Sequence, residues 1–393
     1  MFLSLALIFI LGILGGYLFE KIKIPKIIFY IFLGILLGPS LLNVISTNLL
    51  NISSYLRQIA LVIILTRSGL SLDVKKLKEI GRSAILMCFL PATFEIIGVC
   101  IFAPMILNIS ILESLLLGSV LAAVSPAIVV PRMIKLQNEG YGNKNHVCEL
   151  IMAGASCDDI YVIVLFYSFK SLLSSSSFSF QSFLQIPISI IMGIICGIIF
   201  AIALIFIFKK LSISTPIKVG LLLGISFLLL ELETLLKQYI YISALLAIIV
   251  IGIIILKFLP NQAKEIQKSY NSLWNSFELL LFSLVGMAID AKYAFSKEGL
   301  LILLLIIVAL LFRSLGVICC LIATKFSFKE KLFIIFSYLP KATVQASIGA
   351  IALNEGLSCG PIILVAAVIS ILFTAPLGAS LMDNTYKKLL VKE

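Results

Sequence analysis

Two adjacent aspartates, Asp158 and Asp159, sit inside an otherwise apolar run, LIMAGASCDDIYVI. Three more ionisable side chains lie equally deep in apolar runs: Glu95, Arg313 and Lys341. At 1.5 Å per residue each is roughly 14–20 Å from the nearer end of its helix, the depth of a bilayer midplane. An ionisable group there costs about 2.5–3.5 kcal/mol even on the lenient insertion scale, so five unpaired ones would cost on the order of 15 kcal/mol. They must pair with one another or bind something. Three carboxylates against two cations leave one negative charge over, and the shallower Arg67 and Glu278 cancel. A proton or a bound cation has to neutralise that surplus. A site that accepts either, but not both, couples the two flows, which is the least chemistry a cation/proton antiporter needs.

The pairings follow in outline. Asp158 and Asp159 point about 100° apart on a helix and cannot face the same partner. One can bind a fixed cation, Lys341 or Arg313, while the other faces the ion path. Glu95 and Arg313 occupy equivalent depths in two halves of the chain and read as an ion pair across a repeat interface; a pair used only for helix packing is the plainer alternative. Proline supplies a second feature. The run LAAVSPAIVVP has Pro126 near its centre and Pro131 at its end, and FSYLPKATVQASIGAI has Pro340 near its centre. Proline removes a backbone donor and frees carbonyls that lipid cannot satisfy, so such backbone survives only inside protein or beside an aqueous cavity. A single kink is ordinary, but a matched pair points to two helices interrupted at the midplane. Their freed carbonyls, with the hydroxyls of Ser125 and Thr343, could supply oxygen ligands or cap half-helix ends.

The elements that must carry these groups are transmembrane helices. Of 393 residues 61% are apolar and 12% charged, which excludes a soluble enzyme. Apolar runs predict an all-α polytopic protein of about thirteen spans, near 2–19, 26–43, 55–72, 82–107, 111–131, 149–170, 185–208, 216–232, 239–257, 272–289, 298–324, 331–354 and 361–382. The opening MFLSLALIFILGILGG lacks a basic n-region and a small-residue cleavage site, so it is expected to be the first span and not a removable signal. Of 30 Lys and Arg, 22 fall in the odd-numbered connections and the C-terminal tail, among them the cluster from Lys75 to Arg82. Five fall in the even-numbered connections: Arg57, Lys170, Lys237, Lys292 and Lys297. That alternation is the positive-inside signature and predicts an external N-terminus and a cytoplasmic C-terminus. The net charge of +11 is thereby spent on topology, and no nucleic-acid partner is implied. The same count turns spans 1–6 (residues 1–170) and 8–13 (216–382) into inverted repeats joined by span 7 (185–208), all within one transporter unit, 1–393.

The segments LLLGSVLAAVSPAIVVPRMIKLQNEGYG, LIMAGASCDDIYVI and LPKATVQASIGAIAL resemble the NHA-type branch of the monovalent cation/proton antiporter superfamily. Supporting stretches are PKIIFYIFLGILLGP, LTRSGLSLD and LPATFEIIGV, so the resemblance spans most of the chain. It implies a thirteen-helix inverted-repeat fold in which spans 5 and 12 are broken and cross, with a dimerisation domain, a mobile core and a homodimeric assembly. It further implies that Asp159 is the main ion- and proton-binding carboxylate and that Asp158 is its partner, the two holding a transported Na+ or Li+ transiently. Lys341 resembles the lysine of the second broken helix, and Glu95 with Arg313 the family's buried ion pair. The electroneutral Asn-Asp branch carries an acid four positions before its Asn and often an Asp before the first proline; here those positions are Gly154 and Ser125.

Several residues fit blander roles. His146 is expected to be a solvated loop histidine and the eight cysteines small apolar residues. Cys157 suits helix packing, Arg67 can snorkel toward the cytoplasm, Glu278 suits an interface, and the Ser-rich stretch 171–182 an external loop. An intramembrane aspartyl protease would want its two carboxylates on different helices, and a passive channel rarely needs buried ion pairs. A sodium-coupled organic-solute symporter of similar fold has no need of a surplus titratable carboxylate. The expectation is therefore a transporter, not an enzyme, without cofactor, in a bacterial inner membrane, that exchanges Na+ or Li+ (alternatively K+) for H+ and serves pH homeostasis.

Overall fold

The computed structural model describes residues 1–22, 24–72, 81–174, 180–211, 213–236 and 240–392, with the backbone alone at 174 and 180–187. Among these residues the chain forms eighteen helices. They are α1 (Phe2–Lys21), α2 (Lys26–Leu37), α3 (Thr47–Ser71), α4 (Arg82–Met87), α5 (Leu90–Leu107), α6 (Ile111–Leu121), α7 (Pro126–Asn138), α8 (Val147–Ser174) and α9 (Phe180–Lys210). There follow α10 (Thr215–Leu236), α11 (Ala244–Phe258), α12 (Pro260–Ala288), α13 (Ala291–Ala294), α14 (Lys297–Cys320), α15 (Phe328–Ser337), α16 (Thr343–Ile348), α17 (Ile351–Asn354) and α18 (Gly360–Leu389). Nine helical stretches among the described residues are long and apolar enough to cross a membrane, and α2 and α11 are apolar but shorter.

Each span expected from the sequence falls on helix, with shifted ends. Span 4 is two helices, because Pro91 in the first turn of α5 cannot continue the ladder from α4. The span expected at 272–289 begins twelve residues earlier, at Pro260, because the polar run NQAKEIQKSYN extends the helix where hydropathy alone marks a loop. Glu278 on that helix is buried, 6% exposed, and Arg67 lies over the Trp274 ring, 5.2 Å from its centroid. Most of the basic cluster (residues 75–80), Lys23, Lys237 and residues 175–179 of the Ser-rich stretch lie outside the described residues.

The helices gather into two compact units, residues 1–55, 75–169 and 279–393 in the first, 56–74 and 170–278 in the second. Features of the first unit repeat in pairs. α6 stops at Leu121 and resumes as α7 at Pro126; α15 stops at Ser337 and resumes as α16 at Thr343. Both first halves open with a capping box, Ser110 with Glu113 and Ser327 with Glu330, which satisfies N–H groups left over at a helix start. Each capping glutamate is also held by the connection that follows the other broken helix. Ser358 donates to Glu113 at 2.7 Å and Asn145 to Glu330 at 2.8 Å. Close glycine crossings recur in the same sense. In the first unit Gly34 of α2 meets Gly286 of α12, and in the second Gly69 of α3 meets Gly252 of α11. An added Cβ at Gly34 would overlap the Ser283 carbonyl, and one at Gly252 would stand 2.8 Å from the Gly69 carbonyl carbon. Small residues let membrane helices approach this closely. These paired contacts are those of an all-α membrane fold built as an inverted repeat.

Candidate functional site

The site starts from the packing of α5 on α14. Gly98 leaves room for Phe312, and Gly316 brings α14 so near α5 that an added Cβ would lie 2.8 Å from Pro91 Cα. That approach seats Glu95 and Arg313, both without exposed surface, side by side. Arg313 Nη1 meets Glu95 Oε2 at 2.9 Å, and Lys341 Nζ meets Glu95 Oε1 at 2.6 Å. Arg313 Nη2 reaches Asp158 Oδ2 on α8 at 2.6 Å. Its Nε donates to the Tyr338 carbonyl at 2.7 Å, and the guanidinium lies over the Tyr338 ring, 5.5 Å from the centroid. The fixed fork of arginine suits four acceptors on different elements, which the point charge of lysine could not join. Asp158 therefore pairs with Arg313, and Lys341 pairs with Glu95.

The non-helical stretch between α6 and α7 explains why these cations converge. The last carbonyls of α6 have no helical partner and carry the negative end of its dipole. Lys341 Nζ donates to the Leu121 carbonyl and Arg313 Nη1 to that of Ala122. The Ala123 carbonyl accepts from Gln345 Nε2 at 2.9 Å. On the other side of the break, where α7 begins and the dipole is positive, Val124 N–H donates to Asp158 Oδ2 at 2.9 Å. Ser125 N–H donates to the Pro340 carbonyl at 2.8 Å, so the two breaks touch directly. In the second break Lys341 N–H donates to Thr374 Oγ1 of α18 at 2.9 Å. Buried backbone polar groups rarely stay unpaired, and here charged and amide side chains do the pairing.

The carbonyls of Leu121, Ala122, Ala123 and Pro340 thus each accept from a protein donor. The hydroxyls differ. Ser125 leaves the start of α7 uncapped by its side chain, and Ser125 Oγ and Thr343 Oγ1 have no hydrogen-bond partner among the described residues. The same is true of Asp158 Oδ1. Asp159 follows on α8 with 2% of its surface exposed. The quartet of Glu95, Asp158, Arg313 and Lys341 is neutral by itself, and Asp159 adds one carboxylate. Pro126 opens α7 and Pro340 lies inside the second break, each at a position where its missing N–H costs nothing to a ladder.

Three participants escaped sequence reasoning: Gln345, Tyr338 and Thr374. Gln345 was visible only as a polar residue inside PKATVQA. Tyr338 is fully buried, and its hydroxyl fills the space beside Gly154, one turn before Asp158, where any added Cβ would collide with it. His146 is a solvated loop residue, its side chain 72% exposed, and Cys157 is buried in helix packing.

A family model described as "Sodium/hydrogen exchanger, transmembrane" matches residues 5–382. Sodium/hydrogen exchanger 9B1 of Homo sapiens is 32% identical over 410 residues, which cover 99% of this chain and 78% of that protein. The Mus musculus 9B1 protein is 34% identical, covering 98% of this chain and 71% of that protein. Human sodium/hydrogen exchanger 9B2 is 31% identical, over 99% and 75%. Among solved structures, that of the sodium proton antiporter MjNhaP1 from Methanocaldococcus jannaschii at pH 8 superposes with a TM-score of 0.84. It is 23% identical and covers 98% of this chain and 97% of that one, a likeness of fold.

Proposed function

Because the chain belongs to the sodium/hydrogen exchanger family, we propose that it is a secondary active antiporter in which Na+ or Li+ and H+ compete at Asp159, with Asp158 beside it. The observation that carries this reading is the charge balance. Glu95, Asp158, Arg313 and Lys341 offset one another through contacts of 2.6–2.9 Å, and Asp159 brings one further buried carboxylate. A carboxylate at that depth can hold one proton or one monovalent cation, and holding either excludes the other. The hydroxyls of Ser125 and Thr343 add neutral oxygen ligands suited to a small hard cation. Alternating access then exposes the loaded site to one side at a time, each ligand state favouring the conformation it binds better.

Finer features belong to the same proposal. The Asp158–Asp159 pair and the PKATVQA run support the NHA-type branch. The touching breaks support crossed helices in spans 5 and 12, and the paired caps support repeats at 1–170 and 216–382 around a connector at 185–208, thirteen crossings in all. The 22-to-5 distribution of basic residues supports an external N-terminus, a cytoplasmic C-terminus and an inner-membrane location. A homodimer is supported by α10, where a side chain added at Gly220 or Gly224 would meet nothing within 4 Å. With Ile217, Leu221 and Leu228 that face offers a small-xxx-small seam to a second copy. Cysteine at Gly220 is expected to cross-link into a dimer-sized band in native membranes. If Gly220→Cys and Gly224→Cys both run as the parent chain does, the seam is not on α10.

The deciding experiment is ΔpH-driven exchange in proteoliposomes, scanned over Na+, Li+ and K+ with and without a clamped membrane potential. Dequenching by Na+ or Li+ well above that by K+ is the expected result; K+ alone would reassign the cargo, and no response to any of them would refute antiport. Indifference to the clamp means that Asp159 alone exchanges a proton, and dependence on it means that Asp158 does so too.

A further inference from the structure

The peptide unit joining Ala123 to Val124 is gripped from both sides. Its carbonyl accepts from Gln345 Nε2 at 2.9 Å, and its N–H donates to Asp158 Oδ2 at 2.9 Å. A trans peptide is planar, with C=O and N–H pointing in opposite directions, so turning one turns the other. This plane lies in the break between α6 and α7, where no helical ladder fixes it. Gln345 is fully buried on α16, and a weaker bond to the Leu121 carbonyl, at 3.4 Å, holds its amide in place. Hydrogen bonds in series also polarise one another, which strengthens the N–H aimed at the carboxylate.

We propose that Gln345 is a positioning residue of the transport site. Acting through the Ala123–Val124 peptide, it aims an N–H at Asp158 Oδ2 and, together with Arg313, fixes that carboxylate with Oδ1 presented to the cation. The inference rests on Asp158 and Asp159 being the transport site. A merely structural amide would stabilise the broken helices without tuning a ligand, and the two roles part in the kinetics. Small misplacements of a ligand weaken binding first.

The test compares Gln345→Met, which keeps length and loses both donors, and Gln345→Asn, which keeps the amide but draws it back by about 1.5 Å. Both are expected to raise the apparent KM for Na+ about tenfold in proteoliposomes. Maximal exchange should stay within about twofold of the parent and Tm within about 5 °C. An unchanged KM in a folded variant overturns the proposal, whatever happens to Tm. So does failure of both variants to fold, which would make Gln345 a structural residue. Asp159→Asn is assayed alongside. If that variant still exchanges, the transport-site reading fails; if it is silent while Gln345→Met behaves as the parent, only the positioning role fails.

Discussion

Replacing Asp159 with Asn is expected to abolish exchange in everted vesicles, by more than about a hundredfold, while expression and membrane insertion stay at the parental level. Asn keeps the volume and polarity of the side chain, so α8 packs as before. What disappears is the charge. Glu95, Asp158, Arg313 and Lys341 are engaged with one another, so none of them replaces the lost carboxylate. A cation binding there would leave its hydration shell without that carboxylate to offset its charge, at an effective cost of several kcal/mol. At 1.4 kcal/mol per factor of ten, three such kcal/mol already exceed a hundredfold. The proton half of the cycle fails for the same reason, because an amide does not titrate. Full exchange by the variant would sink the assignment of Asp159, and loss of expression would call for Asp159→Glu as a better-tolerated probe. That substitution keeps the charge and shifts it by one methylene, so it is expected to retain exchange at a raised apparent KM.

How much of this was legible beforehand follows from what burial costs. A charge at mid-membrane depth is so expensive that Glu95, Asp158, Asp159, Arg313 and Lys341 stand out against any apolar run, and all five are buried. Pro126 and Pro340 were equally visible, because a missing donor in lipid must be compensated. The pairing was not visible. Whether Arg313 or Lys341 meets Asp158 depends on how far α14 rotates and slides on α5, which the glycines at 98 and 316 and the aromatic at 312 decide together. The fate of the freed carbonyls was hidden for a related reason. Sequence shows that Leu121, Ala122 and Ala123 lie near a proline, but not that three donors from distant segments cap them. Gln345 left no mark in hydropathy, since one neutral amide in a helix of this length is unremarkable. Pro91 and the early start of α12 were missed because hydropathy senses lipid contact, whereas a helix also ends at a lost donor or runs on through a polar stretch.

Glu95→Ala separates the structural part of the network from the transporting part. Glu95 accepts from both Arg313, at 2.9 Å, and Lys341, at 2.6 Å, with no exposed surface on any of the three. Breaking a buried pair by removing one partner costs about 3–5 kcal/mol, because the other charge stays behind without compensation. Thermal unfolding in detergent should therefore fall by on the order of 10 °C. The effect on transport is smaller, and the reason lies in the remaining charges. Arg313 keeps Asp158 at 2.6 Å and the Tyr338 carbonyl at 2.7 Å. Lys341 keeps its bond to the Leu121 carbonyl. Arg313 and Asp158 then still pair, and Asp159 keeps its place on α8. The apparent KM for Na+ is expected to move by less than about threefold in the fraction that remains folded. The opposite pattern, an unchanged melting temperature with a KM shifted tenfold or more, would mean that Glu95 itself faces the ion. In that case Lys341, its partner at 2.6 Å, would belong to the exchanging site as well, and the charge count that singles out Asp159 would have to be redrawn around both carboxylates.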